Sequence, residues 1–252
     1  MKKSLFETFI QKYALNGAIN SVNLDSTDGV LSVSGTTQDM QAMAFVKNDK
    51  LSLPNGNYSI YDTSQLRSLL GVFGQSDDIN VNVETSQDVP IALKIDDLPF
   101  HTKVKFVLSD PQVIPEAPTL TTLPTPNLTI PFDEEFMSRF VKATSALSEV
   151  DTFTIVTGTQ QADGYVSNYD TKLVIGYTDM NTTRISFGVE SSGDLQEKLT
   201  FSAKYLKDIF LANKETKSGS IEVSDRGILS TKFNTDGFVS EYYLLKISNI
   251  VI

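Results

Sequence analysis

The chain has 252 residues, 40% of them hydrophobic, which is enough for one large domain or two domains of ordinary size. It contains no cysteine, which excludes disulfides, thiolate zinc sites and a cysteine nucleophile. A net charge of -10 argues against nucleic-acid binding when taken as a sum, but the distribution of the charge matters more. No apolar run is long enough to span a bilayer, so we expect a cytoplasmic protein without membrane contact.

The first half of the chain combines two amphipathic helices with several strands. Residues 4–15 predict a helix because apolar side chains recur at helical spacing. Asp62, Thr63 and Ser64 are N-cap candidates for a second, Leu-rich helix. Alternating stretches predict strands at residues 19–24, 30–33, 40–46, 58–61, 79–83, 89–95 and 103–108.

A change of composition then marks a domain boundary. Residues 110–131 hold six of the nine prolines and no Lys or Arg. Such a segment is extended and semi-rigid, which suits a link between two domains. We therefore predict an N-terminal domain at residues 1–108, a connector at 109–131 and a C-terminal domain at 132–252.

The second half repeats the order of the first. Its first predicted helix follows the acids at residues 133–135, which suit a helix N-terminus. Its second helix copies the Leu-rich helix at a constant offset, with Lys207 in the place of Arg67. The apolar residues Leu66, Leu69 and Leu70 correspond to Leu206, Ile209 and Phe210. Strands are predicted at residues 152–156, 165–166, 172–177, 184–189, 221–223, 228–233 and 238–247.

Basic residues are concentrated on the four helices of this otherwise acidic protein. Two similar halves with such helices suggest a ring that encircles DNA, in which the cations contact phosphates. The alternative is that each cation lies on a solvated helix face, and Lys214 and Lys217 also suit a helix C-terminus. The predicted DNA-binding residues are Lys2, Lys3, Lys12, Arg67, Arg139, Lys142, Lys204, Lys207, Lys214 and Lys217.

Four features in this order carry a resemblance to a known family. They are Ile60-Tyr61-Asp62 before the Leu-rich helix, Asp77-Asp78-Ile79-Asn80-Val81, the Pro-rich crossover ending in Ile130-Pro131, and Asp151-Thr152-Phe153-Thr154-Ile155 after the next helix. The chain resembles the sliding clamps of T-even-type bacteriophages, with proliferating-cell-nuclear-antigen clamps as more distant relatives. The resemblance implies an α+β DNA-clamp fold, in which two similar domains each pack two helices on antiparallel sheets. Three copies would then form a ring of six domains.

The resemblance also implies a function and a set of partners. A sliding clamp encircles double-stranded DNA and tethers the replicative DNA polymerase for processive synthesis. It is loaded by a clamp-loader ATPase and, in T-even-type phages, also serves transcription factors in late transcription. No enzymatic activity, cofactor or metal is implied, and a phage-encoded clamp would act in the host cytoplasm.

Two further surfaces follow from the resemblance. Ring closure would pair the strand at residues 103–108 with the strand at 184–189 of the next copy, and partner tails would dock near the connector. The connector residues could instead only pack on the sheets. The predicted subunit interface contains Lys103, Lys105, Val107, Arg184, Ser186 and Phe187, and the predicted partner pocket contains Val113, Ile114 and Leu120.

Other interpretations of the sequence remain open. His101 is the only histidine and has no Ser-His-Asp context, so an enzyme is not expected. The pairs Asp77-Asp78 and Asp96-Asp97 lie at predicted turns, where Asp bonds locally. The main alternative function is a phage or bacterial structural assembly module that does not bind DNA. A two-domain ligand-binding protein is the other, but it requires a polar cleft.

Overall fold

The computed structural model describes residues 1–97, 99–118, 122–158, 170–178 and 182–247. The chain divides into two compact units. Unit 1 consists of Met1–Gln38, Met43–Pro118 and Asn234–Ser240. Unit 2 consists of Asp39–Ala42, Thr119–Phe233 and Glu241–Ile252.

Unit 1 contains two helices and two antiparallel sheets. Four strands pair in the order β4-β1-β2-β3, and a separate three-stranded sheet has the order β5-β6-β7. Its elements are α1 (Lys3–Ala14), β1 (Val22–Thr27), β2 (Val30–Thr36), β3 (Ala42–Asn48), β4 (Gly56–Ile60), α2 (Thr63–Gly71), β5 (Asn80–Ser86), β6 (Val89–Asp97) and β7 (Thr102–Val107).

Local sequence accounts for these elements. Helix α1 buries Phe6, Phe9 and Tyr13 completely, which is the apolar stripe expected of an amphipathic helix on a sheet. The β1–β2 hairpin turns at Asp28 and Gly29, which both take positive φ (51° and 81°). Two positive φ angles match the twist of a two-residue hairpin, and an Asp-Gly pair adopts them readily.

Unit 2 repeats this plan. One antiparallel sheet has the order β11-β10-β9-β13, and a second has the order β12-β8-β14-β15-β16. Its elements are β8 (Leu128–Asp133), α3 (Glu134–Ala146), β9 (Thr152–Thr157), β10 (Thr171–Ile175), β11 (Ile185–Val189), β12 (Ser192–Gly193), β13 (Leu199–Ser202), α4 (Ala203–Ala212), β14 (Ser218–Ser224), β15 (Ile228–Thr235) and β16 (Phe238–Leu245).

The predicted α+β class, with two helices on antiparallel sheets in each half, is confirmed. The strand predicted at residues 165–166 lies outside the described residues.

The end of the predicted connector differs, because its last residues belong to β8, where Ile130 pairs with Ile221 of β14. Leu128, Ile130 and Phe132 alternate and are buried, a strand pattern that the neighbouring prolines obscured. Pro131 fits there because β12 pairs only with Leu128 and Thr129 on the other side of β8.

Within the part of the chain that the structure describes, no helix has the length and apolar character needed to cross a membrane.

Candidate nucleic-acid interface

Helices α2 and α4 occupy equivalent places in the two units. Each begins after a side chain that caps it: Asp62 Oδ1 accepts from Gln65 N (2.8 Å) and Ser202 Oγ accepts from Tyr205 N (3.2 Å). These caps satisfy backbone donors that a helix N-terminus leaves unpaired. Because each helix begins directly after its cap, Arg67 and Lys207 are each the fifth residue of their helix.

Core packing fixes the orientation of both helices. Leu66 and Leu70 of α2 are fully buried, as are Leu206 and, within 1%, Phe210 of α4. The basic residue of each helix therefore lies away from the core: Arg67 is exposed and Lys207 is half-buried. The structure thus places these two predicted DNA-binding residues equivalently.

Helices α1 and α3 are also equivalent, with Lys3 and Glu134 as their first residues. Phe9 and Phe140 are each the seventh residue of their helix and are fully buried. Helix α3 exposes Arg139 and Lys142. Arg139 is paired with Glu135 (2.5 Å) across one turn of the helix, a surface pair that contributes little stability.

Two of the predicted DNA-binding lysines are buried, so the prediction is wrong for them. Lys12 is fully buried, and its ammonium lies 5.2 Å from the centre of the ring of Phe238, which starts β16 and belongs to the Asn234–Ser240 segment of unit 1. Lys3 is also buried, and its Nζ donates to the carbonyl of Gly74. The ammonium of Lys12 is therefore enclosed in the core, and that of Lys3 is engaged by a backbone carbonyl. Lys12 lies three residues after Phe9, on the apolar stripe, and this spacing could have identified it.

Lys2 is exposed but engaged by two carboxylates. Its Nζ lies 2.8 Å from Asp78 and 3.9 Å from Asp77. The hydrogen bond to Asp78 and the two carboxylate charges raise the pKa of Lys2. Its charge is therefore largely offset locally.

The remaining predicted cations are all in unit 2. Lys204, Lys214 and Lys217 are exposed. Lys217 precedes β14, and its carbonyl accepts from Glu134 N (3.1 Å), which brings it to the start of α3. A shallow depression of about 530 Å³ there is lined by acids and bases alike: Asp133, Glu134, Glu135, Ser138, Arg139, Lys142 and Lys217.

One acid lies beneath the lysines of α4. Asp208 is 3% exposed, and burial raises the pKa of its carboxyl, while Lys207 and Lys204 oppose that rise. A carboxyl whose pKa is higher in the folded state costs stability when it is charged. That cost is present at neutral pH and disappears as the pH falls below the unfolded value of about 3.9.

We expect Asp208→Asn to raise the free energy of unfolding at neutral pH by about 1 kcal/mol, because the amide has no charge to desolvate. Its advantage over the native chain should shrink as the pH falls through the raised pKa of Asp208, because the native carboxyl then becomes neutral as well. Urea unfolding at several pH values measures both effects, with the exposed Asp49→Asn as the matched control. A variant that is less stable at neutral pH would contradict this assignment.

Strand β7 is the outer strand of the three-stranded sheet. Leu108 N donates to Ile91 O (2.9 Å), so these two residues form a hydrogen-bonded pair of the β6–β7 ladder. Because hydrogen-bonded pairs alternate in an antiparallel ladder, the backbone groups of Lys103, Lys105 and Val107 point away from β6. The Val107 side chain is 66% exposed.

Strand β11 is the outer strand of the four-stranded sheet. Gly158 N donates to Asp170 O (2.8 Å), so alternate residues of β10 face β9 and the others face β11. The register of β10 with β11 then turns the backbone groups of Ser186 and Gly188 outward, and those of Arg184 by continuation. Gly188 was not among the predicted interface residues, although a period of two from Ser186 identifies it.

Phe187 was predicted in the same interface, and its half-buried side chain packs against aromatic rings of unit 2. Its ring centre lies 5.8 Å from that of Phe136 and 6.1 Å from that of Phe140. Its backbone groups face β10. The half-buried Phe187 side chain therefore belongs to an aromatic cluster of unit 2, and its role as a contact residue stays a prediction.

The residues of the predicted partner pocket do not share one environment. Val113 ends a short 3₁₀ turn capped by Asp110 and is 55% exposed. Ile114 is only 4% exposed and packs in the core, so it does not line an accessible pocket, contrary to the prediction. Leu120 lies outside the described residues.

A groove that the site prediction missed lies further along the connector. It measures about 280 Å³ and belongs to unit 2. The apolar Leu123 among prolines was its signal in the sequence. The groove is lined by Leu123, Pro124, Thr125, Pro126, Glu222, Ser224, Ile228 and Ser230.

The paired acids have local structural roles. Asp77 Oδ1 accepts from Ser4 N (2.8 Å) at the start of α1, and this bond lowers the pKa of Asp77. Asp97 Oδ1 accepts from Phe100 N (3.3 Å) in the turn after β6. Among the described residues, no group of three or more His, Asp or Glu is placed to hold a metal ion.

Solved structures with the same arrangement of elements exist. The crystal structure of proliferating cellular nuclear antigen from Entamoeba histolytica matches with a TM-score of 0.70, covering 98% of this chain and 97% of that one at 15% identity. The chain has the sliding-clamp fold. A PCNA2–PCNA3 complex from Sulfolobus tokodaii matches this clamp fold with a TM-score of 0.67, 14% identity, and coverage of 98% and 97%. No protein-family model and no curated protein sequence matches the chain.

Proposed function

We propose that this chain is a sliding clamp, a non-enzymatic ring of three copies that encircles duplex DNA and tethers a replicative polymerase. One observation carries the proposal. Inside a clamp fold, two equivalent helices present a cation at the same position, Arg67 on α2 and Lys207 on α4. Three copies would then place six such cations around the DNA.

The charge distribution supports this function. Phosphate contacts from Lys and Arg hold a duplex without reading its sequence, so they do not create sites where a moving clamp stops. The chain as a whole carries a charge of -10, which repels DNA from its other surfaces. Persistence on DNA then comes from the closed ring, and each contact can remain weak and salt-dependent.

Ring closure would use the two outer strands. Lys103, Lys105 and Val107 on β7 can pair with Arg184, Ser186 and Gly188 on β11 of the next copy. A head-to-tail contact of this kind closes after a fixed number of copies. It would also cover two strand edges that invite uncontrolled pairing when exposed.

The finer assignment rests on the sequence resemblance to T-even-type phage clamps. It adds a clamp-loader ATPase, a replicative polymerase and transcription factors as partners, in the host cytoplasm. The groove at Leu123 and the exposed Val113 are the surfaces on which partner tails would dock. The clamp chains of the PCNA2–PCNA3 complex assemble with each other, which supports assembly of this chain into a ring.

Light scattering over a dilution series tests the assembly. Three chains of 27.8 kDa give a ring of about 83 kDa, which we expect to dissociate to monomers at low concentration. A monomer at every concentration would contradict the proposed ring. An open-ended series of larger species would instead favour a structural assembly module.

A further inference from the structure

We propose that unit 2 makes most of the DNA contact in each copy, through a cationic face formed by α4. This inference rests on the proposed function and specifies which half of the chain performs it. The duplicated helices allow a position-by-position comparison, because α2 and α4 follow equivalent caps and bury matching side chains.

The outward arc of α4, all of whose residues the structure describes, carries no acid within the helix, while outside it the exposed Glu215 follows Lys214 and the exposed Asp39 accepts from the Tyr205 hydroxyl (2.8 Å). Lys204 and Lys207 lie one turn apart, Leu211 follows one turn later, and Lys214 comes directly after the C-cap Asn213. The other side of the helix is buried and carries Leu206, Ile209 and Phe210. Within α4 the acid is Asp208, which is buried.

The same arc of α2 carries a single cation. The counterparts of Lys204, Lys207, Leu211 and Lys214 are Ser64, Arg67, Gly71 and Gly74. All four α2 residues are exposed, so the arc is at least as accessible but has one third of the positive charge.

Helix α1 does not supply the exposed cations that α2 lacks. In α1, Lys3 and Lys12 are buried, and Lys2 is engaged by Asp77 and Asp78. The outward positions of α1 that match Arg139 and Lys142 are the neutral Thr8 and Gln11. Helix α3 keeps those two cations, although its first turn carries acids that reduce its net charge.

Binding to phosphates releases condensed counterions in proportion to the cations engaged. Lys204, Lys207 and Lys214 provide three cations against the one on the equivalent arc of α2, so this face should dominate the salt dependence of DNA binding. Around a ring, each copy would provide one strong contact on unit 2 and one weak contact on unit 1.

The test is equilibrium binding of a short fluorescein-labelled duplex of random sequence, followed by anisotropy at several salt concentrations. We expect the Lys204→Gln/Lys207→Gln double variant to reduce the slope of log K against log salt by about two for each α4 face on the DNA. Arg67→Gln should reduce it by about half as much or less. Lys47→Gln, which removes an exposed lysine on β3, should leave it unchanged.

The outcomes separate the inference from the function. If the native chain binds no duplex at any salt concentration, the proposed function fails. If it binds, but Arg67→Gln or Lys47→Gln weakens binding as much as the α4 double variant, the inference fails and the function stands. Circular dichroism and the light-scattering mass verify that each variant folds and assembles like the native chain.

Discussion

Replacing Ser186 by proline is expected to convert the proposed trimer into a monomer of 27.8 kDa. The backbone N–H of Ser186 points away from β10, so proline removes a donor from the outer edge and none from the internal ladder. Proline is tolerated on edge strands for this reason. The ring of the proline would also obstruct β7 of the neighbouring copy. Light scattering measures the mass directly.

Ser186→Ala is the matched control, because it removes the same hydroxyl and keeps the N–H. It should assemble like the native chain, and both variants should retain the native circular dichroism spectrum. If Ser186→Pro remains a trimer while folded, β11 is not the closing edge. The same substitution at Phe187 would be uninformative, since it would disrupt the internal ladder and the aromatic cluster together.

Phe140→Ala is expected to lower the free energy of unfolding by about 3 to 5 kcal/mol, the usual cost of removing a buried Phe side chain. The ring is fully buried at the centre of the aromatic cluster of unit 2. A loss of this size is a large part of a domain's total stability, so unit 2 of the variant should unfold at a low urea concentration. Its ring neighbours are Phe136 (6.3 Å), Phe153 (5.5 Å), Phe187 (6.1 Å) and Phe210 (5.6 Å).

Urea unfolding gives this free energy, and two further variants bound the effect. Phe140→Leu should cost less, because it leaves a smaller cavity. Leu211→Ala, on the 40%-exposed side chain of α4, should change stability by about 0.5 kcal/mol or less. A loss below about 1 kcal/mol for Phe140→Ala would show that the cluster closes around the cavity.

Much of the fold was predictable because it depends on local patterns. The helices follow from apolar spacing, and α2 follows from its Asp62 cap as well. The constant offset that relates Leu66 to Leu206 and Arg67 to Lys207 indicated the repeat from the sequence alone. Strand β8 was missed because prolines around it resembled a linker, while its alternating apolar residues at 128, 130 and 132 carried a weaker signal.

The candidate site was only partly predictable because accessibility is a property of packing. Lys12 and Arg67 are both basic residues on amphipathic helices, yet one lies under Phe238 and the other is exposed. Phe187 and Ser186 are neighbours on one strand, yet their side chains lie on opposite faces. The sequence pattern predicts such a strand, but it does not show which residues pack against each of its two faces.

By itself, the sequence determined the duplicated α+β plan, the four helices and the equivalent cations Arg67 and Lys207. Those features repeat along the chain at helical and strand periods, which are local properties of the backbone. The tertiary structure alone decided which lysines remain on the surface, that Ile114 belongs to the core and Phe187 to an aromatic cluster, and which backbone groups of β7 and β11 point outward. These depend on residues distant in sequence, because burial and ladder parity are set only when strands and helices pack together.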